Sequence, residues 1–390
     1  MPDQGNPRTE RTPLTVTSID RVYTSPSRYV QGAGVIDRAA GYLAPLGTSQ
    51  LIITDDIVWG IAGEQLENSL NSDEDTDQNA THEIFGGEAS YKEIERISEV
   101  ASSRGSDVII GLGGGKIIDT ARAVADKGGL PVAIFPTAVS ADAPTARVSV
   151  IYTDDGVFDS YLFYDRNPDL VAVDTTVIAN APVNTLRSGI GDALATSVEA
   201  RAVARANSRR MDDTARPTLA GIALAEKCEE TLFAYAHQAL RDNEAHIASR
   251  ALENIAEANT LLSGLGFENG GLAAVHAIHN GFTALSGDIH HKSHGEKVSF
   301  GIGVQLVLEG APKEELDRFI GFLQSVGLPT TLEEINLPEV SDEDLFRIAE
   351  LAVSPDETLK QLPGEYTAAD VVEAIKAADN YAHGLKERNA

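Results

Sequence analysis

Histidines are concentrated in one part of the chain. Five of the nine lie in the segments GGLAAVHAIHNGF and HHKSHGEKV, namely His276, His279, His290, His291 and His294. Two imidazole nitrogens with one carboxylate oxygen would form a three-ligand site for a divalent cation, with an open position as in catalytic zinc sites. Histidines on the surface or in the core are the alternative interpretation.

A glycine loop separates an apolar run from a helical pattern. The run VIIG leads through Leu112 into Gly113, Gly114, Gly115 and Lys116, and IIDTARAVAD follows with its apolar residues on one helix face. Glycines let the backbone approach a phosphate, and the N–H groups and dipole of a helix stabilise its negative charge. The pattern is neither G-x-G-x-x-G nor the P-loop. A tight turn without a ligand therefore stays open.

Acidic residues follow two predicted strands and two glycines. Asp55 and Asp56 come after the run LIIT, where an acid can bind an adenosine ribose or cap the next helix. Asp142 lies in the loop of FPTAVSADAPTARVSVIYTDDG, either at a ligand-binding sheet edge or in a surface loop. Asp192 follows the glycines of SGIGDALATSVEARA, where an N-cap is the ordinary explanation.

The elements that must position these residues fall into two halves. Continuous apolar runs at 51–54, 108–111, 131–135 and 170–173 alternate with helical patterns, as in a parallel sheet buried on both faces. From about Pro182 onward the chain reads as almost entirely helical. The sequence therefore predicts a flexible polar tail at 1–18, an α/β dinucleotide-binding domain at 19–181, and an all-α metal and substrate domain at 182–390.

The charge of the chain excludes some partners. It carries 59 acidic and 31 basic residues, a net charge of -28, and this field repels nucleic acid and anionic membranes. Arginine outnumbers lysine, and the acids are spread along the chain, for example in DEDTD at 73–77. This distribution predicts the solvated surface of a halophilic protein, with an ordinary acidic cytosolic protein as the alternative.

The location is predicted from cysteine usage and hydropathy. The single cysteine, Cys228, cannot form a disulfide within the chain, which favours a reducing, cytoplasmic compartment. The polar start of the sequence does not resemble an export signal, and no run of 18 apolar residues occurs. We therefore expect neither export nor a membrane span.

Together these motifs resemble the glycerol dehydrogenases, a branch of the iron-containing alcohol dehydrogenases that shares its fold with dehydroquinate synthase. The resemblance runs through SPSRYVQGAGVI, GEAS, GLGGGKIIDTA, DAPTARVSVIYT, NPDLVAVDT, SGIGDALAT, EANTLLSGLGFE, GGLAAVHAIHNGFTAL and HGEKV. It thus covers nearly the whole chain after the first 20 or so residues. It implies NAD-dependent oxidation of glycerol, or of a related small diol, to dihydroxyacetone, in a homo-oligomer such as a ring-like octamer.

The resemblance also assigns roles to individual residues. It implies that Asp192, His276 and His294 bind a catalytic zinc, that Asp142 contacts the polyol, and that His279 acts nearby without ligating. The residues implied in NAD binding are Asp55, Gly113, Gly114, Gly115, Lys116, Asp119, Thr137, Ala138, Val139, Ser140, Val148 and Tyr152.

The chain departs from the family pattern at Ala146 and Arg147, where a serine that helps to hold the cofactor would be expected. This departure leaves the preference between NAD and NADP open. Arg147 itself can face solvent, pair with an acid or meet a phosphate, in that order of preference.

Three other functions compete with polyol oxidation. An sn-glycerol-1-phosphate dehydrogenase would need a phosphate site, and a dehydroquinate-synthase-like lyase would need a cluster of basic groups. A non-catalytic protein that keeps the fold would not need the metal-ligand candidates. Because the basic residues near the motifs form no evident cluster, we expect an unphosphorylated polyol substrate.

Overall fold

The computed structural model describes residues 20–72, 78–211 and 215–389. The predicted tail at 1–18 and the acidic run at 73–77 lie outside the described residues. The strands are β1 (Tyr29–Gly32), β2 (Ser49–Thr54), β3 (Asn79–Ile84), β4 (Val108–Gly113), β5 (Val132–Pro136), β6 (Val148–Tyr152), β7 (Phe158–Phe163) and β8 (Leu170–Asp174).

Six strands form one parallel sheet in the order β1-β8-β5-β4-β2-β3, and β6 and β7 form a separate antiparallel hairpin. Four of the six contain the predicted apolar runs, and β4, β5 and β8 are buried at every residue. The sequence did not predict β1 and β3, which lie at the two sheet edges and are mostly half-buried. It also did not predict the β6–β7 hairpin.

The helices lie on both faces of the sheet and fill the second half of the chain. They are α1 (Ala39–Leu43), α2 (Asp56–Val58), α3 (Glu64–Asn71), α4 (Tyr91–Arg104), α5 (Gly115–Gly128), α6 (Thr175–Asn180), α7 (Val183–Ala206), α8 (Leu219–Glu244), α9 (Arg250–Glu257), α10 (Ser263–Gly270), α11 (Ala274–Gly281), α12 (His294–Leu308), α13 (Lys313–Ser325), α14 (Asp342–Ala352) and α15 (Ala368–Asn389).

The predicted fold class, an α/β part with a parallel sheet followed by an all-helical part, is confirmed. Within the described ranges every strand ends by Asp174, and α7 begins at Val183. The two halves share one apolar core, in which Leu51 and Val171 of the sheet belong to the same cluster as Leu194 and Val298 of the helices. The domain boundary at 181/182 stays a prediction. No helix among the described residues is both long and apolar enough to span a membrane.

Candidate active site

Three side chains from three helices meet between the two halves of the molecule. The ligand atoms of Asp192 on α7, His276 on α11 and His294 on α12 all lie within 4.8 Å of one another. Asp192 Oδ1 is 3.0 Å from His294 Nε2 and 3.4 Å from His276 Nε2. The Asp192 side chain is completely buried, whereas the His294 side chain is 40% exposed. The cluster is therefore anchored inside the protein and accessible from one side.

Close backbone packing brings two of these helices together. A methyl group on Gly295 would lie 1.8 Å from the Ser188 carbonyl oxygen, and one on Gly191 would lie 2.5 Å from the Gly295 carbonyl oxygen. Helices α7 and α12 therefore touch at their glycines, next to Asp192 and His294. Asp192 lies in the interior of α7, so the N-cap interpretation of this residue is wrong.

A buried glutamate that the sequence did not single out orients His276. Glu199 lies two turns after Asp192 on α7, and its Oε2 is 2.6 Å from His276 Nδ1. Its Oε1 accepts hydrogen bonds from the backbone N–H groups of Ala273 and His276, at 2.8 and 3.0 Å. A carboxylate at Nδ1 keeps a proton on that nitrogen and directs Nε2 at the cluster, where Nε2 binds a cation once it has lost its own proton.

The electrostatics of the cluster depend on the balance between burial and charge. Burial alone would raise the pKa of Asp192, but the neighbouring His294 and His276 outweigh it and hold that pKa well below its usual range. Burial would lower the pKa of His276, yet Glu199 and Asp192 raise it well above its usual value. The site thus attracts positive charge.

The two residues predicted to act on the substrate lie beside this cluster. The Asp142 backbone N–H donates to Asp192 Oδ2 at 3.1 Å, and Ser263 donates to Asp142 Oδ2 at 2.8 Å. The His279 ring meets the His294 ring edge to face, with centroids 4.3 Å apart. Burial, together with the nearby His294 and Lys297, lowers the pKa of His279 well below its usual value. His279 is therefore a neutral imidazole.

The other two histidines of the sequence cluster lie apart from this site. His290 and His291 occupy a 3-10 helix on the surface, where His290 Nε2 contacts the Leu285 carbonyl at 2.7 Å and His291 pairs loosely with Asp288. Spacing along the chain does not distinguish them from the three that converge.

The glycine loop lies at the carboxyl edge of the sheet. Gly113 ends β4, Gly114 caps α5, and Gly115 begins the helix, with open space where side chains on Gly114 and Gly115 would lie. The Lys116 ammonium donates to Glu88 at 2.6 Å and lies 5.3 Å from the centre of the Tyr152 ring. Glu88, which belongs to the GEAS motif, joins this edge and was not predicted.

Thr137, Ala138, Val139 and Ser140 follow β5 at the same edge. The backbone N–H of Thr137 donates to the Gly113 carbonyl at 3.2 Å. Val139 is buried, and its carbonyl accepts a hydrogen bond from Asn259 at 3.1 Å. The Ser140 carbonyl accepts from Ser188 at 3.1 Å. This loop thus bridges the sheet and the helical half.

Two acids of the predicted cofactor set have structural contacts. Asp55 caps α2, because its carboxylate accepts a hydrogen bond from the Val58 N–H at 2.8 Å. Asp119 is 7% exposed and pairs with Arg122 at 3.2 Å. The family's cofactor role for these acids stays a prediction.

The Arg147 side chain forms an ion pair with a glutamate. Its Nε lies 3.0 Å from Glu268 Oε1, and Nη1 donates to the Tyr164 carbonyl at 2.8 Å. The side chain is 15% exposed, so the preferred expectation that it faces solvent was wrong and the second interpretation, a pair with an acid, is correct.

A parallel sheet with a glycine loop and an Asp–His–His cluster with the donors of a catalytic metal site are the features expected of a metal-dependent dehydrogenase. The family model "Iron-containing alcohol dehydrogenase" matches residues 26–175. A glycerol dehydrogenase of Thermotoga maritima is 47% identical over 91% of this chain and 96% of its own length. A glycolaldehyde reductase of Halobacterium salinarum is 43% identical over 94% of this chain and 99% of its own length.

The crystal structure of the glycerol dehydrogenase of Schizosaccharomyces pombe superposes with a TM-score of 0.91 at 42% identity. The superposition covers 95% of this chain and 93% of the Schizosaccharomyces pombe chain. The chain therefore belongs to the glycerol dehydrogenases of the iron-containing alcohol dehydrogenase family.

Proposed function

We propose that this protein oxidises glycerol, or a related small vicinal diol, to the corresponding ketone with NAD as hydride acceptor. The observation that carries the proposal is the Asp192, His276 and His294 cluster, which lies beside Asp142. Full-length similarity to several glycerol dehydrogenases supports the substrate class.

The three clustered side chains fit a divalent cation. They offer two nitrogens and one carboxylate oxygen within 4.8 Å, the donor set and number of a catalytic zinc site. Zinc is the metal that we propose. When bound, such a cation supplies Lewis acidity that lowers the pKa of a coordinated hydroxyl. Variants Asp192→Asn and His294→Ala should lose both zinc and turnover, whereas His279→Ala should keep its zinc but lose activity. Metal analysis after dialysis measures the zinc content, and NAD reduction measures the activity.

The residues around the cation have distinct tasks in this proposal. Asp142 would contact a substrate hydroxyl through Oδ1, since Ser263 already holds Oδ2. His279, a weak base because its pKa is lowered, would pass the hydroxyl proton on to water rather than retain it. Residues 137–140 with Val148 and Tyr152 would hold the nicotinamide cofactor, which when bound would supply the acceptor for the hydride of the carbinol carbon.

The basic residues near the site argue for an unphosphorylated substrate. Arg147 pairs with Glu268, Lys292 with Glu296, and Arg187 donates to the Val326 carbonyl and to Asn184. Lys297 is half-buried and would give a single point charge rather than the bidentate clamp that phosphate favours. An sn-glycerol-1-phosphate dehydrogenase is therefore disfavoured.

The test compares initial rates of NAD reduction with glycerol, propane-1,2-diol and glycerol 1-phosphate on the zinc-loaded protein in molar salt. We expect the highest kcat/KM with glycerol or the diol. A kcat/KM for glycerol 1-phosphate well above both would overturn the proposal. Parallel assays with NADP decide the preference between NAD and NADP, which the sequence departure at Ala146 leaves open.

A second candidate is the reduction of glycolaldehyde, favoured by the relative of that name at 43% identity. Glycolaldehyde differs from dihydroxyacetone only in having a hydrogen where dihydroxyacetone has a second hydroxymethyl group, and its reduction runs the hydride transfer in the direction opposite to glycerol oxidation. Rates with NADH and glycolaldehyde, measured beside those with NADH and dihydroxyacetone, separate the candidates.

We further propose that the protein is a cytoplasmic, salt-requiring homo-oligomer such as an octamer. Large apolar side chains are exposed on the single chain, including Ile57 at 77% and Leu219 at 79%. Such residues suit contacts between copies. Light scattering on the purified protein measures the assembly, and a monomer in molar salt would contradict it.

A further inference from the structure

A buried arginine lies behind the proposed active site. Arg122, in the middle of α5, is 3% exposed. Burial lowers its pKa, with Asp119 acting in the opposite direction, and burial raises the pKa of Asp119 to about 6. A buried charge is tolerated only when it is paired and hydrogen-bonded. The partners of the Arg122 guanidinium therefore indicate the role of this buried charge.

The guanidinium joins α5 to both ends of one segment. Nη1 lies 3.2 Å from Asp119 Oδ1 and also donates to the Val148 carbonyl, while Nη2 donates to the Ala143 carbonyl. The two carbonyls are five residues apart, at either end of the 142–148 segment. The planar guanidinium presents its N–H donors in a rigid fork, which suits this spread of three acceptors better than the single nitrogen of an ammonium does.

The middle of this segment is anchored to other elements. The Thr145 hydroxyl donates to the Thr260 carbonyl at 2.8 Å, and Asn167 donates to the Thr145 carbonyl at 2.9 Å. Arg122 therefore secures the two ends, which carry the proposed substrate residue Asp142 and the proposed cofactor residue Val148.

We propose that Arg122 is a positioning residue that fixes the 142–148 segment relative to the glycine loop, with Asp119 as its counter-ion. This inference rests on the proposed function. Because α5 begins at the glycine loop, Arg122 ties the helix that would hold the cofactor phosphates to the segment that would hold the polyol. A displacement of about 1 Å between reacting groups can cost about 100-fold in rate.

The test is Arg122→Lys, which keeps the charge beside Asp119 but replaces the fork by one ammonium. Hydrogen exchange followed by mass spectrometry should show at least fivefold faster exchange in peptides spanning 142–152. On the zinc-loaded enzyme, kcat for glycerol should fall about 10- to 100-fold. The KM for NAD should change less than threefold.

The matched control is Arg96→Lys. The Arg96 guanidinium also bridges two acids, Glu83 and Glu93, and the Ile84 carbonyl, but this network joins α4 to β3 and includes no residue of the 142–148 segment. The control should leave both the exchange of 142–152 and kcat unchanged. If Arg122 had only a structural role, Arg122→Lys would lower the melting temperature of the protein but would change neither the hydrogen exchange of 142–152 nor kcat. That result would overturn the proposal.

A second variant covers the case in which Arg122→Lys does not fold. The double variant Asp119→Leu/Arg122→Met removes both buried charges, a replacement that proteins often tolerate. It should show the same faster exchange, and normal exchange in this variant would also overturn the proposal. The exchange measurement needs no turnover. If the wild type proves inactive on polyols, the proposed function fails while the positioning role is still tested.

Discussion

Removing the charge of Glu199 should weaken binding of the proposed zinc while leaving all three proposed ligands in place. The carboxylate is fully buried and contacts His276 Nδ1 at 2.6 Å, while its other oxygen accepts from two backbone N–H groups. In Glu199→Gln the amide oxygen can keep the backbone contacts, but the amide nitrogen then faces Nδ1 as a donor. The His276 proton would move to Nε2, where it blocks the lone pair that a cation needs.

The expected size of the effect follows from that contact. Loss of a hydrogen-bond partner behind a metal-bound histidine typically costs about 10- to 100-fold in metal affinity. This corresponds to about 1.4–2.8 kcal/mol. Competition titration against a fluorescent zinc chelator gives Kd for the wild type and the variant. Activity should recover at excess zinc, because all three ligands remain.

The matched control is Glu229→Gln. Glu229 is also a buried glutamate of the helical half, but it accepts from Ser197 and pairs with Arg318. Its neutralisation should lower stability and leave the zinc Kd within twofold of the wild type. A zinc Kd for Glu199→Gln within that same twofold range would refute the reasoning.

Three further outcomes are expected. Gly295→Ala should push α12 from α7, since its methyl group would lie 1.8 Å from the Ser188 carbonyl, and so lower zinc affinity and the melting temperature. Gly303→Ala on the same helix is the control, because its methyl group would lie 3.6 Å from the nearest atom. It should change neither zinc affinity nor the melting temperature. Lys297→Met should stabilise the protein at pH 7, because burial lowers the pKa of this lysine. The wild type gains stability as pH rises from the folded pKa toward 10.5, so the advantage of the variant should shrink there, as measured by denaturant midpoints. Finally, the net charge of -28 predicts a melting temperature that rises between low salt and molar potassium chloride, where charges are screened over about 3 Å. An unchanged melt would contradict the halophilic surface.

Local patterns were enough to predict much of the architecture and several candidate site residues. Strands β2, β4, β5 and β8 contain continuous apolar runs because strands buried on both faces of a parallel sheet need them. The edge strand β3 has the sequence NATHEI, in which one residue is fully buried, so no such run marks it. The glycine loop was recognisable because strand, glycines and helix are adjacent in sequence.

Which side chains meet was decided by the tertiary structure. Five histidines were candidates by spacing, but only His276 and His294 converge with Asp192. Glycine contacts between α7 and α12 bring His294 to Asp192, and Glu199 of α7 contacts His276 of α11. Glu199 acts on a residue 77 positions away, and Arg122 reaches 21 and 26 positions along the chain. A buried acid or arginine in a helical pattern has no local signature. Its partner comes near only when distant segments pack together. A partner is needed there because burial makes an unpaired charge too costly to keep.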